Sequence, residues 1–188
     1  MRVVFVNGSP KSDGNITALI ELAAKEVEKK GGQSVIVRVQ KALLSCKQPF
    51  CTCCSTPCNK SCYAGTYLEE AFDALKEADF IVFASPVYFG TMSGQMKCFF
   101  DKMRAMRAGG FLCGKRGAAI SVGASISGGQ ETTIRSLHDA MLIVGMTICG
   151  DASCSEGPGH YGVRARQPAS EDAFAKARLL SLVERIFE

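Results

Sequence analysis

Short, nearly continuous apolar runs alternate along this chain with stretches whose apolar residues recur every three or four positions. Arg2 to Val6 is such a run and predicts a buried strand. From Ile16 to Lys30 the apolar residues Ile16, Leu19, Ile20, Ala23, Ala24 and Val27 keep helical spacing, and Gly31-Gly32 stops the helix. Ser34 to Val39 alternates and is rich in Val and Ile, so it is a second strand. Ser45 to Gly65 has no periodicity and many cysteines, which predicts a loop. A helix over Tyr67 to Lys76 then precedes the wholly apolar third strand, Asp79 to Ala84. Gly94 to Met106 reads as a helix, Gly117 to Val122 as a strand and Gly129 to Val144 as a helix. Met146 to Asp151 is a short last strand, a Gly/Pro-bearing loop runs to Pro168, and Ser170 to Phe187 closes the chain as a helix.

Apolar strands alternating with amphipathic helices predict an α/β fold, a parallel sheet covered on both faces. Five strands place it among doubly wound sheets, where ligands sit beyond the carboxyl ends of the strands near the point at which strand order reverses. The loops after the first, third and fourth strands are therefore expected to form one crevice. A chain of 188 residues fits a single domain, residues 1–188, with a cysteine-rich loop at 45–65.

Composition narrows the partners. The formal charge of +4 includes no basic tract, so nucleic acid is not expected. No apolar run is long enough to span a bilayer, and no secretory pattern opens the chain, so a cytoplasmic protein is expected. Ten cysteines in that setting point to metal or redox chemistry rather than a disulfide framework.

The first loop, Asn-Gly-Ser-Pro-Lys-Ser-Asp-Gly-Asn between strand and helix, has the makings of an anion site at a helix N-terminus. It is not a triphosphate P-loop, because Lys11 precedes Gly14 and Gly14 is followed by Asn15. It is not a dinucleotide fingerprint either, since it lacks G-x-G-x-x-G and the second strand runs into Gln40 and Lys41 rather than an acid. Hydroxyls on Ser9, Ser12 and Thr17 with one cation, Lys11, suit a terminal monophosphate. The plain alternative is a turn in which Asn15 or Asp13 caps the helix. After the third strand, Ser85-Pro86-Val87-Tyr88-Phe89-Gly90 sets two aromatics among small residues, fit to border a flat heteroaromatic ring or to fill a core or subunit contact. After the fourth, Gly123 to Gly129 is a Gly/Ser loop opening a helix.

The combination GSPKSDGNIT with ASPVYFGTMSGQMKCFFDKM resembles the flavodoxin-like NAD(P)H-dependent FMN reductases, and their iron-sulfur flavoprotein branch most closely. The resemblance covers nearly the whole chain. It implies a sheet of order 2-1-3-4-5 and FMN as cofactor. It implies that Ser9, Lys11, Gly14, Asn15, Ile16 and Thr17 cradle the FMN phosphate. Ser85, Pro86, Val87, Tyr88, Phe89 and Gly90 would border the ring, and Gly123, Ser125 and Gly128 would close its other side. Hydride passes directly to and from the flavin in this family, so no catalytic side chain is expected.

Cys46, Cys51, Cys53, Cys54, Cys58 and Cys62 fall within one loop. By the resemblance this is the place of a cluster motif, C-x2-C-x2-C and then a longer gap, and this chain departs from it. Only Cys51 and Cys54 are spaced C-x2-C; Cys54 to Cys58 and Cys58 to Cys62 are each C-x3-C. Cys51, Cys54, Cys58 and Cys62 are the candidate ligands. A [4Fe–4S] cluster, a zinc ion and metal-free redox thiols all remain open.

The helix at Gly94 to Met106 is apolar on more than one face, which suits a homo-oligomer, dimer or tetramer, as well as a wide core stripe. Lys102, Arg104, Arg107, Lys115 and Arg116 make a loose basic group, a solvated face or a docking surface for an acidic carrier. His138 reads as structural; His160 and Tyr161 lie in the long loop before the last helix. The expected function is an FMN oxidoreductase fed by NAD(P)H or reduced ferredoxin, with a small-molecule or protein electron acceptor. A cluster-free FMN or quinone reductase and a flavin electron carrier without substrate are the alternatives.

Overall fold

The computed structural model describes all 188 residues. In chain order the elements are β1 (Arg2–Asn7), α1 (Asn15–Lys29), β2 (Gln33–Arg38), α2 (Val39–Leu44), α3 (Tyr67–Glu77), β3 (Phe80–Pro86), α4 (Gly94–Lys102), α5 (Arg104–Ala108), β4 (Arg116–Gly123), α6 (Gln130–Ile143), β5 (Thr147–Ile148), β6 (Val163–Arg166) and α7 (Ala173–Phe187). The sheet order is β2-β1-β3-β4-β5 and every pairing is parallel, as the resemblance implied. Strand order reverses between β1 and β3, so the loops at their carboxyl ends open onto a shared crevice.

Side-chain alternation along the strands builds two cores. Val4, Val6, Ile81, Phe83 and Ala119 face one layer with residues of α2, α3, α4 and α6. Val3, Phe5, Phe80, Val82, Ala118 and Ile120 face the other, where α1 and α7 pack. No helix is long and apolar enough to cross a membrane.

Four elements differ from the sequence reading. The expected helix over Gly94 to Met106 breaks at Met103 into α4 and α5; Met96, Phe99, Met103 and Met106 are all buried in the first core. The expected last strand, Met146 to Asp151, shrinks to Thr147–Ile148, which pairs only with Arg116 and Gly117. The chain then leaves the sheet and returns as β6, whose Val163 to Arg166 pair with Ile120 to Gly123. The fifth position of the sheet is thus shared by two short strands. The signal for β6 was its alternation, with Val163 and Ala165 buried between Arg164 and Arg166. Helix α2 was not expected, although its buried Val39, Ala42 and Leu43 keep helical spacing.

Candidate functional site

β1 delivers the chain into the first loop at the buried Asn7. The Asn7 side chain organises that loop. Its Oδ1 accepts from the Ser9 amide at 2.9 Å, and its Nδ2 donates to Thr17 Oγ1 at 3.1 Å. Ser9 Oγ accepts the Lys11 amide at 3.1 Å, and Arg38 reaches over from β2 to donate to the Ser12 carbonyl at 2.8 Å. The loop is held in shape by its own polar groups, yet the helix it opens has no side-chain cap and no acid in its first turn. Asn15 does not cap it, since Asn15 Oδ1 accepts from the Ala169 amide at 2.7 Å, and Asp13 does not either. The amides of Asn15, Ile16 and Thr17 find no acceptor in the chain. Uncapped N–H groups at the positive end of a fifteen-residue helix are a site for an anion.

The second loop is tied to the first. Gly8 N–H donates to Ala84 O at 2.8 Å, and Ser93 Oγ donates to Gly8 O at 2.6 Å. Ser93, wholly buried, also caps α4 by accepting the Met96 amide at 3.1 Å, while its own amide donates to Ser85 Oγ at 2.9 Å. Between these anchors Tyr88 and Thr91 exchange backbone hydrogen bonds of 2.9 and 3.2 Å. They close a two-residue turn with φ of 50° at Phe89 and 76° at Gly90, the turn that matches strand twist and favours glycine. The turn lifts Phe89 fully into solvent and leaves Tyr88 half exposed. Neither aromatic fills the core.

The third loop leans on the second. Thr132 Oγ1 donates to Gly90 O at 2.7 Å. A Cβ on Gly129, whose φ is 86°, would lie 3.1 Å from Gly90 Cα and 3.2 Å from Val87 Cγ1, so only glycine lets the loops meet this closely. Gln130, buried at the start of α6, shapes the loop from within. Its Oε1 accepts the Gly128 amide at 2.8 Å and its Nε2 donates to Ser125 O at 2.6 Å and Ala165 O at 3.2 Å. The Gln130 side chain also fills the space beside Gly123. The structure therefore brings Ser9 to Thr17, Ser85 to Gly90 and Gly123 to Gly128 to the ends of neighbouring strands. Sequence reasoning missed Ser93 and Gln130, which act through contacts distant in the chain.

The cysteine loop is a different case. All ten cysteines are free, Cys53 and Cys54 are exposed, and Cys46, Cys51, Cys58 and Cys62 are partly buried. No three metal-ligating side chains converge anywhere in the molecule, so Cys51, Cys54, Cys58 and Cys62 are not gathered as a ligand set. The thiols suit a cluster or zinc in donor type but not in arrangement. Cys46 Sγ bonds Ala42 O, and burial pushes its thiol up against the opposing pull of Lys102. Lys102 itself is buried, and its Nζ meets Cys62 Sγ at 3.4 Å as its one hydrogen-bond partner. A cavity of about 680 Å³ is lined by residues of α4 and α6 together with Cys51, Cys53 and, from the second loop, Thr91.

The basic group dissolves as a surface. Besides Lys102, Arg104 holds Ser55 O at 3.1 Å, Arg107 holds Ile143 O at 3.2 Å, Lys115 holds Ala78 O at 2.7 Å and Arg116 holds Arg185 O at 2.8 Å. Each cation ties a loop or an element end, and Arg104 and Arg107 also line the cavity of about 680 Å³. His160 is bound to the buried Asp151 at 3.2 Å, and Arg178 of α7 pins the same carboxylate at 3.1 Å. Burial works to raise the Asp151 carboxyl, but the Arg178 and His160 hydrogen bonds outweigh it and hold it below the ordinary range. His138 is buried with its Nε2 unpartnered, and burial lowers its pKa.

A family model described as NADPH-dependent FMN reductase matches residues 1–158. The iron-sulfur flavoprotein MJ1083 of Methanocaldococcus jannaschii is 37% identical over 162 residues, 86% of this chain and 81% of that protein. The iron-sulfur flavoprotein of Methanosarcina thermophila is 34% identical over 174 residues, 92% of this chain and 86% of that one. Among solved structures, the apo form of an NADH:FMN oxidoreductase (EMOB) has the same fold at a TM-score of 0.72 and 19% identity, over 98% of this chain and 87% of that one.

Proposed function

The chain belongs to the NADPH-dependent FMN reductase family and is an oxidoreductase of it, and we propose that it holds FMN in the three-loop crevice and reduces it with NAD(P)H. One observation carries the reading. The uncapped amides of Asn15, Ile16 and Thr17 form an anion cradle that is hydrogen-bonded, through Gly8 and Ser93, to the loop at the end of β3. Ser9, Lys11, Gly14, Asn15, Ile16 and Thr17 hold the phosphate with neutral donors and one cation. Ser85, Pro86, Val87, Tyr88, Phe89 and Gly90 border the ring with backbone polar groups and the half-exposed Tyr88. Gly123, Ser125 and Gly128 close the other side, on a loop stiffened by Gln130. FMN, when bound, supplies the hydride and single-electron chemistry, and the protein supplies position and exclusion of water. No side chain is assigned as acid, base or nucleophile.

The test is anaerobic. The FMN-loaded protein should lose its flavin absorbance on addition of NADH or NADPH. Silence with both donors, together with fast reduction by ferredoxin, would replace the reductase with an electron carrier.

The sulfur loop is proposed as a second redox element. Two relatives are named iron-sulfur flavoproteins, and six thiols with the Lys102 cation beside them match the donor type and charge of a [4Fe–4S] cluster. Holding it would require the loop to draw Cys51, Cys54, Cys58 and Cys62 together, and no electron path through it is assigned. Iron and sulfide analysis of anaerobically purified protein decides. We further propose a cytoplasmic homo-oligomer, for which sedimentation is the test.

A further inference from the structure

The two short strands at the fifth position of the sheet leave a gap between them. The chain departs after Ile148 and rejoins at Val163, and the loop between runs past α6. A cavity of about 690 Å³ occupies that place, within the range that holds a small organic molecule. Glu131, Ile134 and His138 line it from α6, spaced so that they share one helix face. Ile148 and Arg164 line it from the strands, and Tyr161 from the loop. No residue assigned above to the FMN phosphate, to the ring or to the cysteine loop belongs to this lining.

Each end of this lining offers a polar group without a close partner. His138 is only 8% exposed, and its Nε2 has no hydrogen-bond partner. A buried ring nitrogen in that state is costly, and a ligand hydroxyl would satisfy it in either tautomer, because a hydroxyl both donates and accepts. At the other end Arg164 meets Glu131 only at 3.9 Å, through Nε, and its guanidinium lies 5.9 Å from the Phe174 ring centre. Its two Nη groups are left for a carboxylate, which the guanidinium fork fits. Glu131, the one carboxylate of the lining, has a side chain 64% exposed, so water screens it. His160 also lines the cavity, with Nδ1 committed to Asp151 at 3.2 Å. Ile134, Ile148 and the Tyr161 ring make the rest of the lining apolar.

We propose that this cavity binds a small aromatic acid with a hydroxyl para to its carboxylate, the carboxylate on Arg164 and the hydroxyl on His138 Nε2. The span fits. Glu131, beside Arg164, and His138 are seven residues apart on α6, roughly 10 Å along its axis. A single benzene ring with para substituents, plus a hydrogen bond of about 3 Å at each end, covers that length. The ring would lie against Ile134 and Ile148. A dicarboxylate suits the site less, because it would set a second charge against a buried imidazole that burial keeps neutral. The site is separate from the flavin crevice and does not depend on the reductase reading.

The experiment titrates the FMN-loaded protein calorimetrically with 4-hydroxybenzoate, benzoate and phenol, and follows the flavin absorbance alongside. Wild type should take up one 4-hydroxybenzoate per chain. Benzoate, which lacks the hydroxyl, should bind about fivefold more weakly, and phenol, which lacks the carboxylate, about tenfold or more. Arg164→Gln, at a partly exposed position, should weaken 4-hydroxybenzoate by about tenfold and leave phenol unchanged. His138→Phe should make 4-hydroxybenzoate and benzoate bind alike. The flavin absorbance should not move in any titration. The absence of saturable binding, equal binding of 4-hydroxybenzoate and benzoate to wild type, or an affinity that survives Arg164→Gln overturns the proposal. A flavin absorbance change in step with binding overturns it too, because it would put the acid in the flavin crevice.

Discussion

Ser93→Ala isolates the bond that ties the phosphate loop to the ring-bordering loop. Ser93 is wholly buried, so water cannot replace what the hydroxyl does. Two groups lose their partner at once. The Met96 amide loses the cap of α4, which costs about 1 kcal/mol, and the buried Gly8 carbonyl loses its donor, which costs about 1–3 kcal/mol. The Ser93 amide keeps its bond to Ser85 Oγ, so the loop does not detach altogether. The sum is a destabilisation of about 2–4 kcal/mol, or roughly 5–15 °C in Tm for a chain of this size. Urea denaturation of the flavin-free protein measures it, with an unchanged m-value as the check that only stability moved. Ser127→Ala, at an exposed serine of the third loop, is the control and should fall within about 0.5 kcal/mol of wild type. A Ser93→Ala loss no larger than that control would mean the two loops are not coupled through Ser93, and the picture of a roped crevice would fail.

His138 has its pKa lowered by burial, so the unfolded chain takes up its proton first; stability is complete above about pH 6.5 and falls as pH drops below it. Denaturation midpoints between about pH 7 and 5 should show that slope in wild type and a shallower one in His138→Gln. Asp151, held below the ordinary carboxylate range, adds stability that is present above about pH 4 and lost on further acidification. Asp151→Ala leaves Arg178 without its buried partner and should cost about 3 kcal/mol or more at neutral pH, read by the same denaturation. Phe89→Gly relieves a left-handed backbone at an exposed tip and should leave stability unchanged or raised by about 1 kcal/mol, while shifting the flavin absorbance if the turn borders the ring; a large loss of stability would show that Phe89 packs against something after all.

The sheet was legible because β1, β3 and β4 are central, buried on both faces and therefore almost uninterrupted in apolar character. The edge was not. At the fifth position one strand is shared between Thr147–Ile148, too short to carry a period, and Val163–Arg166, whose alternation spans only four residues inside a Gly/Pro-bearing stretch. The site divides in the same way. The three loops could be placed from sequence because they extend from recognisable strands. Ser93 and Gln130 could not, because their bonds to Gly8 and Ala165 link residues far apart in the chain. The basic residues from Lys102 to Arg116 read as a surface, yet each donates to a carbonyl or a sulfur, which residue type alone does not reveal. The cysteines show the limit most plainly. Their number was evident, but whether four meet depends on a loop with no hydrophobic period to fix its path.

Everything proposed for the crevice depends on the amides that open α1 holding the phosphate of FMN. The direct test is the ratio of FMN to riboflavin affinity in the flavin-free protein, measured by fluorescence titration at one ionic strength. The two ligands share the ring and ribityl chain and differ only in the phosphate. Several charge-assisted hydrogen bonds in the cradle predict one FMN per chain and an affinity at least about a hundredfold above that of riboflavin. Equal affinities, or no uptake of FMN, would contradict that assignment.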